Sequence, residues 1–318
     1  MKLTMMQKKM PQFKKLLVLV IPLLSLTSWA QQDAQYTQYM YNTQGINPAY
    51  AGTRGQLSLA ALYRNQWVGV DGAPESATLN AQAPIGESGI GLGLSIVTDK
   101  VGPTQETAFD IDFSYTIPLN VAADLSFGLK ASGHLLDVRF SELNSYDPDD
   151  AVLQNDIHNR FSPNIGAGLY YHTDRFYLGL SVPRILETEH FDSSSLATAT
   201  ERMHWYLITG YIFEANPNLK IKPALLTKAV KGAPLQVDMS LNFMLRDRFV
   251  LGAAYRWDAA LSALAGFHIG DGLFLGLAYD REVTELGNTA FNDGSFEVIL
   301  RYDFMDKSSR FLKSPRFF

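Results

Sequence analysis

AFDIDFSYTIP, residues 108–118, alternates apolar and polar side chains. Phe109, Ile111, Phe113, Tyr115 and Ile117 share one face of an extended chain, and Asp110, Asp112, Ser114 and Thr116 share the other. A period of two is the signature of a β-strand whose faces meet different surroundings. The stretch is also close to the ~9–11 residues with which a tilted strand crosses a bilayer.

The same pattern recurs on either side. Leu235, Val237, Met239, Leu241, Phe243 and Leu245 alternate with Gln236, Asp238, Ser240 and Asn242, ahead of Arg246. Near the end, Phe296, Val298, Leu300, Tyr302 and Phe304 alternate with Ser295, Glu297, Ile299, Arg301 and Asp303. Fourteen such segments are expected, near 54–68, 75–84, 89–99, 104–118, 122–138, 161–173, 174–182, 201–215, 218–230, 234–246, 248–258, 259–269, 272–281 and 291–305.

The connections sort by parity. Those after even-numbered segments are tight, as at 86–88, 120–124, 173–174, 216–218, 247 and 271. Those after odd-numbered segments include every long one, at 139–160, 184–200 and 282–290. A soluble β-sandwich, the competing architecture, has no reason to sort loops this way. An outer-membrane barrel does, with short periplasmic turns and long extracellular loops. In hydrocarbon, strands survive only as a closed barrel, because every backbone polar group must be paired internally. The expected fold is therefore all-β: a transmembrane barrel of about fourteen antiparallel strands over 54–305, preceded by a short segment.

The apolar faces then meet lipid. The opposite faces line a lumen and collect Lys220, Lys222, Asp238, Arg256, Glu297 and Arg301, with Asp110, Asp112, Lys130, His134, Lys228 and Asp280. Neighbouring inward faces bring Lys220 and Lys222 near Asp238 and Arg256, so pairing across the sheet is expected. A mean hydropathy of −0.04 suits strands that are half lumenal.

Residues 1–30 read as a cleavable secretory signal. Lys8, Lys9, Lys14 and Lys15 precede an apolar run at 16–26, and Ser28-Trp29-Ala30 is a small-x-small cleavage site. The apolar run is shorter than the ~20 residues of a spanning helix. Removing residues 1–30 takes five of the 27 basic residues and none of the 32 acidic ones, which leaves a net charge of −10. That balance argues against nucleic acid as a partner. With no cysteine, the chain has neither a disulfide framework nor thiol chemistry.

Motifs for chemistry are sparse. The six histidines include no HExxH pair, and no Gly-x-Ser-x-Gly elbow occurs. GIGLGLS at 89–95 sits inside a strand pattern, so its glycines read as close-packed wall positions and not as a dinucleotide loop. DPDDAVLQND at 147–156 offers carboxylates but lacks the glycine and terminal glutamate of an EF-hand loop, and reads as a solvated loop. No cofactor is expected. The ending KSSRFLKSPRFF, within the tail at 306–318, joins Arg310, Lys313 and Arg316 to Phe311 and Phe318. It reads as a docking peptide or as a loosely packed tail.

QDAQYTQYMYNTQGINPAYAG, followed by YRNQWVGVDGAPES, resembles the amino-terminal signature of the PorP/SprF family of type IX secretion system outer-membrane proteins. FSPNIGAGLYY, YLGLSVP, LKIKPALLTK, GSFEVILRYDF and the terminal SPRFF extend the resemblance over the mature chain, with a departure at Thr43-Gln44-Gly45. The resemblance implies a barrel that works with other type IX components, including a periplasmic peptidoglycan-binding partner. In some members it implies service to a large surface adhesin in gliding motility.

Residues 31–53 precede the first strand and are expected to start on the periplasmic side. Tyr36, Tyr39, Tyr41 and Tyr50 are too apolar to hang in water, and the Gln and Asn groups need hydrogen bonds if buried. A plug inside the lumen or a lid across the periplasmic mouth meets both needs, and an extended arm is the other arrangement. Asn47-Pro48 then turns the chain toward the first strand. The functional expectation is a non-enzymatic secretion component acting by protein–protein contacts. The alternative is a channel for small solutes with lumenal charges as its filter.

Overall fold

A computed structural model describes residues 35–142, 156–187, 202–288 and 292–304. The expected signal at 1–30, most of the acidic loop at 147–156, and the tail with Arg310, Phe311, Lys313, Arg316 and Phe318 lie outside the described residues. The strands are β1 (Ser58–Asn65), β2 (Glu75–Pro84), β3 (Ile90–Val101), β4 (Thr104–Asn120), β5 (Ala123–Val138), β6 (Ile157–Thr173), β7 (Phe176–Val182), β8 (His204–Tyr211), β9 (Phe213–Asn216), β10 (Leu219–Val230), β11 (Gln236–Leu245), β12 (Phe249–Arg256), β13 (Ala260–Ile269), β14 (Leu273–Glu282) and β15 (Ser295–Asp303). Strands β8 and β9 are one stave broken at Ile212, and both pair with β10. The result is a closed antiparallel barrel of 14 staves.

Each stave pairs with the next, and β15 pairs with β1 from Ser58–Asp303 to Asn65–Phe296, which closes the sheet. All strand connections longer than nine residues lie at one end, after β5, β7 and β14. The other end carries short turns such as Asp174-Arg175 and Pro217-Asn218. At the β11–β12 turn, Arg246 and Asp247 have φ of 52° and 54°. Two successive left-handed residues match the right-handed twist of a tight hairpin.

The strands β4, β5 and β6 run 17, 16 and 17 residues, longer than a crossing requires. Strand β6 begins four residues earlier than its apolar pattern indicates. His158, Asn159 and Arg160 continue the ladder past the apolar band, and Asn159 N donates to Asp137 Oδ1 at 3.0 Å. Backbone pairing does not need apolar side chains once the strand has left lipid.

The faces follow the alternation. Phe109, Ile111, Phe113, Tyr115, Phe296, Val298, Leu300 and Tyr302 are exposed on the outside. Asp110, Asp112, Ser114, Glu297, Arg301 and Asp303 are buried on the inside. A soluble protein does not display an apolar surface of this extent, but a lipid-facing wall must.

The interior is not empty. Residues 35–54 lie within the barrel, where Tyr39, Met40, Tyr41, Ala49 and Tyr50 form a core with Leu62, Tyr170, Tyr177, Phe274 and Ile299. The segment begins near the long-loop end and descends to the short-turn end. Gln35 bonds Asp238, two residues from the long-loop end of β11, whereas Arg54 bonds Asp303, the last residue of β15. The sequence reading started this segment on the periplasmic, short-turn side. The wall contacts reverse that direction, because a segment joined to β1 at the bottom can still have its upstream part, from Gln35, lodged at the top.

Candidate functional site

The segment folds as a string of tight turns. Tyr41 N donates to Gln38 O at 2.9 Å, one helical turn spans Thr43–Ile46, and a 3₁₀ turn spans Pro48–Tyr50. Asn47 Oδ1 accepts from Ala49 N at 3.0 Å, and Pro48 fills the first turn position, where no N–H is needed. Such turns leave many backbone groups without a local partner. The barrel wall supplies several of them.

At the long-loop end, the N–H groups of Thr37 and Gln38 donate to the two oxygens of Glu297 at 2.6 and 3.0 Å. Thr37 Oγ1 donates to both oxygens of Asp280 at 2.8 and 2.7 Å. Arg64 Nη1 joins Asp280 at 2.6 Å and also contacts Glu297. Close by, Gln35 Nε2 and Arg256 Nε both donate to Asp238, at 2.6 and 2.7 Å. Tyr36 bonds Thr78 at 2.9 Å, and Tyr39 lies 3.3 Å from Ser240 Oγ. Burial pushes the Tyr36 hydroxyl up to about 12 and those of Tyr39 and Tyr41 higher, so all three stay neutral.

At mid-height, Gln44 Nε2 lies 3.2 Å from Asp112 Oδ2 and 3.3 Å from Ser95 Oγ, and Asn80 donates to Asn42. Lys130 sits between Asp110 and Asp112 at 3.0 and 3.2 Å. Lower down, Asn47 Nδ2 donates to Leu169 O at 2.9 Å, Ser181 Oγ to Ile46 O at 2.6 Å and Ser114 Oγ to Ala51 O at 2.7 Å. The path ends on a bidentate pair, in which Arg54 Nε and Nη2 donate to Asp303 at 3.0 and 2.6 Å.

Space is as tight as bonding. A Cβ placed on inward-facing Gly128 would stand 2.1 Å from Ala49 N, and one on Gly168 would stand 2.2 Å from Asn47 Oδ1. A cavity of about 10 Å³ lined by Tyr41, Asn42, Arg54, Asn80, Gln82 and Arg301 is room for about one water. A wider cleft of about 710 Å³ opens at the long-loop end between the 66–74 loop and the β3–β4 turn, lined by Trp67, Asp71, Glu75, Lys100 and Glu142. Among the described residues, no group of three His, Cys, Asp or Glu is placed to hold a metal.

The structure puts Tyr39, Tyr41, Asn47, Pro48 and Tyr50 fully inside the barrel and Tyr36 partly buried beside them. Lys222, Asp238, Arg256, Glu297 and Arg301 also face inward and are buried. Lys220 does not join them. Its ammonium pairs with Asp247 at 2.5 Å on the short-turn rim. Nor do Lys220 and Lys222 meet Asp238. The register sets Asp238 opposite Leu226, four residues above Lys222, whose ammonium lies 5.3 Å over the Tyr41 ring. Alternation assigns a face to each residue but not a height. Thr37, Gln44, Arg54, Arg64 and Asp303 escaped the sequence reading. The inward-facing glycines on adjacent strands were their signal, because a wall without side chains makes room for a chain against it.

The model of the type IX secretion system membrane protein PorP/SprF family matches residues 28–302, most of the chain. The chain belongs to this family. It is a PorP/SprF-type component of type IX secretion, built as an outer-membrane β-barrel. No curated protein matches it. Among solved structures it is similar to the outer membrane protein Omp33 of Acinetobacter baumannii, at 9% identity and a TM-score of 0.45, over 78% of this chain and 98% of that one. It is also similar to the toluene transporter TbuX of Ralstonia pickettii, at 10% identity and 0.47, over 87% and 96%. The CymD monoaromatic hydrocarbon channel matches at 12% identity and 0.47, over 88% and 95%.

Proposed function

We propose that this PorP/SprF protein is a non-enzymatic, lumen-filled barrel that serves type IX secretion through protein–protein contacts and not by passing solutes. The observation that carries the reading is the packed interior: residues 35–54 fill the barrel from the long-loop end to the short-turn rim and bond to the wall along the way. A filter needs a continuous wet path, and a one-water cavity is not one.

The charge and hydropathy of residues 1–30 support export by a cleavable signal. The family supports a periplasmic peptidoglycan-binding partner and, in a gliding role, a large surface adhesin. The short turns offer little of the ~800 Å² per partner that a specific interface buries. The basic, aromatic tail at 306–318 is the periplasmic docking element in this reading, with Arg310, Phe311, Lys313, Arg316 and Phe318 as its contacts. Crosslinking pull-down from intact envelopes, with a tag in the 139–160 loop, tests it. Recovery of type IX components from the full-length strain, and their loss on truncation after Lys307 with the barrel still inserted, is expected. A truncated protein that keeps its partner removes the tail from the model. A large steady conductance of the full-length protein in planar bilayers overturns the filled lumen and favours the channel.

A further inference from the structure

The last strand meets the amino-terminal segment along its inward face from Glu297 to Asp303. On β15, Glu297 takes the N–H groups of Thr37 and Gln38 at 2.6 and 3.0 Å. The Arg301 guanidinium lies 5.9 Å from the Tyr41 ring centre, and Asp303 takes Arg54 in a bidentate pair. Between them, Ile299 is fully buried in the core that holds Tyr41. The first strand joins the same node, where Arg64 of β1 contacts Glu297.

Strand β1 is only eight residues long, whereas β4, β5 and β6 span 16 or 17. The β15–β1 seam is thus an eight-pair ladder between the two ends of the chain, whereas the long ladders of β4, β5 and β6 join neighbours in sequence. Bringing distant ends together costs loop-closure entropy that hairpins between neighbours do not face. The segment lies directly upstream of β1 and offers β15 a ready row of partners in the register that β1 needs.

We infer that residues 37–54 are a closure template: β15, made last, docks on this segment through Glu297 and Asp303, and the β15–β1 seam forms on that scaffold. The template must be in place before the barrel closes. The segment is bonded from Gln35 at one end to Arg54 at the other, so threading it into a closed barrel would have to make all these contacts from the barrel's ends. Closure is a property of the chain whatever partner the barrel serves.

The absence of cysteine makes the test clean. One introduced pair, Ala61→Cys with Leu300→Cys, faces across the seam. A second pair, Ile111→Cys with Ala131→Cys, faces across β4 and β5. Each pair is placed in the full-length chain and in a chain lacking residues 35–54, and crosslinking with a short thiol reagent is scored in outer-membrane fractions. The template predicts efficient crosslinking of both pairs in the full-length chain. In the deletion, the seam pair falls at least tenfold while the wall pair stays within twofold. Equal crosslinking of both pairs in the deletion overturns the inference, because the barrel then closes without its template. Equal loss of both also overturns it, because the segment then supports folding in general and not closure.

Discussion

The segment in the lumen meets two unlike walls. Toward β14, β15 and β1 it is held by charge, with Glu297, Asp280 and Asp303 taking Thr37, Gln38 and Arg54 while Arg64 of β1 neutralises two of the carboxylates. Toward β3, β5 and β6 it is held by closeness and by neutral hydrogen bonds, with Ala51 against Gly91, Ala49 against Gly128, Asn47 against Gly168, and Asn47 donating to Leu169 O. Charged contacts in a dry interior are directional and strong, so they decide where the segment docks. Glycine contacts carry no direction, but they remove the side chains that would stop the backbone from reaching the wall. One wall specifies and the other makes room.

The largest expected effect lies on the charged wall. Glu297→Ala leaves Arg64 buried without one of its carboxylates, and two N–H groups of the segment lose their acceptor. Breaking a buried pair from one side costs about 3–5 kcal/mol. The urea midpoint of the heat-modifiable barrel should fall accordingly. A midpoint within error of the parent breaks the contrast between the walls.

The outer face provides the next step. Leu300 neighbours Ile299 and Arg301 in β15 but faces lipid. A lipid-facing Lys or Arg costs about 2–4 kcal/mol at the bilayer midplane and a carboxylate somewhat less. Leu300→Asp should leave little folded protein in the outer membrane, whereas Leu300→Phe should be inserted at parental levels. Equal insertion of the Asp and Phe variants would place the face wrongly.

On the close wall, Gly128→Val forces its Cβ against Ala49. Overpacking of this kind costs about 1–3 kcal/mol. The barrel should still insert, while limited proteolysis begins to cut within 47–50. Protection equal to that of the parent would show that the segment can shift without losing its charged anchors, and would put all the specificity on the other wall.

The smallest effect is expected at the rim. Lys220 and Asp247 pair across a partly solvated turn, with side-chain exposures of 23% and 61%. Such pairs contribute about 0–1 kcal/mol. Lys220→Ala should shift the urea midpoint little, and a shift as large as that of Glu297→Ala would make Lys220 a lumenal charge after all.

Alternation at 108–118, 235–246 and 295–304, with parity-sorted loops, made the barrel and its faces legible in sequence. These signals are local: a strand between lipid and a polar interior writes its orientation into every second residue. The resemblance carried by residues 32–52 and 63–76, with later matches along the chain, made the family legible as well. The pairing of Lys220 and Lys222 with Asp238 failed because cross-strand partners depend on register, and register depends on turn lengths and on closure around the whole sheet. Strand β6 began earlier than its pattern because its first residues, 157–160, pair with β5 across a bulge, where Asn159 N donates to the Asp137 carboxylate, and none of this needs an apolar face.

The residue pattern was enough to read a barrel, its lipid-facing files and most of its inward charges, Lys220 at the rim excepted, because those properties are set residue by residue by the solvent on each side. Only the tertiary structure decided that residues 35–54 run from the long-loop end down to the short-turn rim, that Arg54 finds Asp303 and that Thr37 finds Glu297. The partners in the last two pairs stand 249 and 260 residues apart. No local pattern links residues at that separation. They meet because the last strand lies beside the first in the folded barrel, with residues 35–54 inside it.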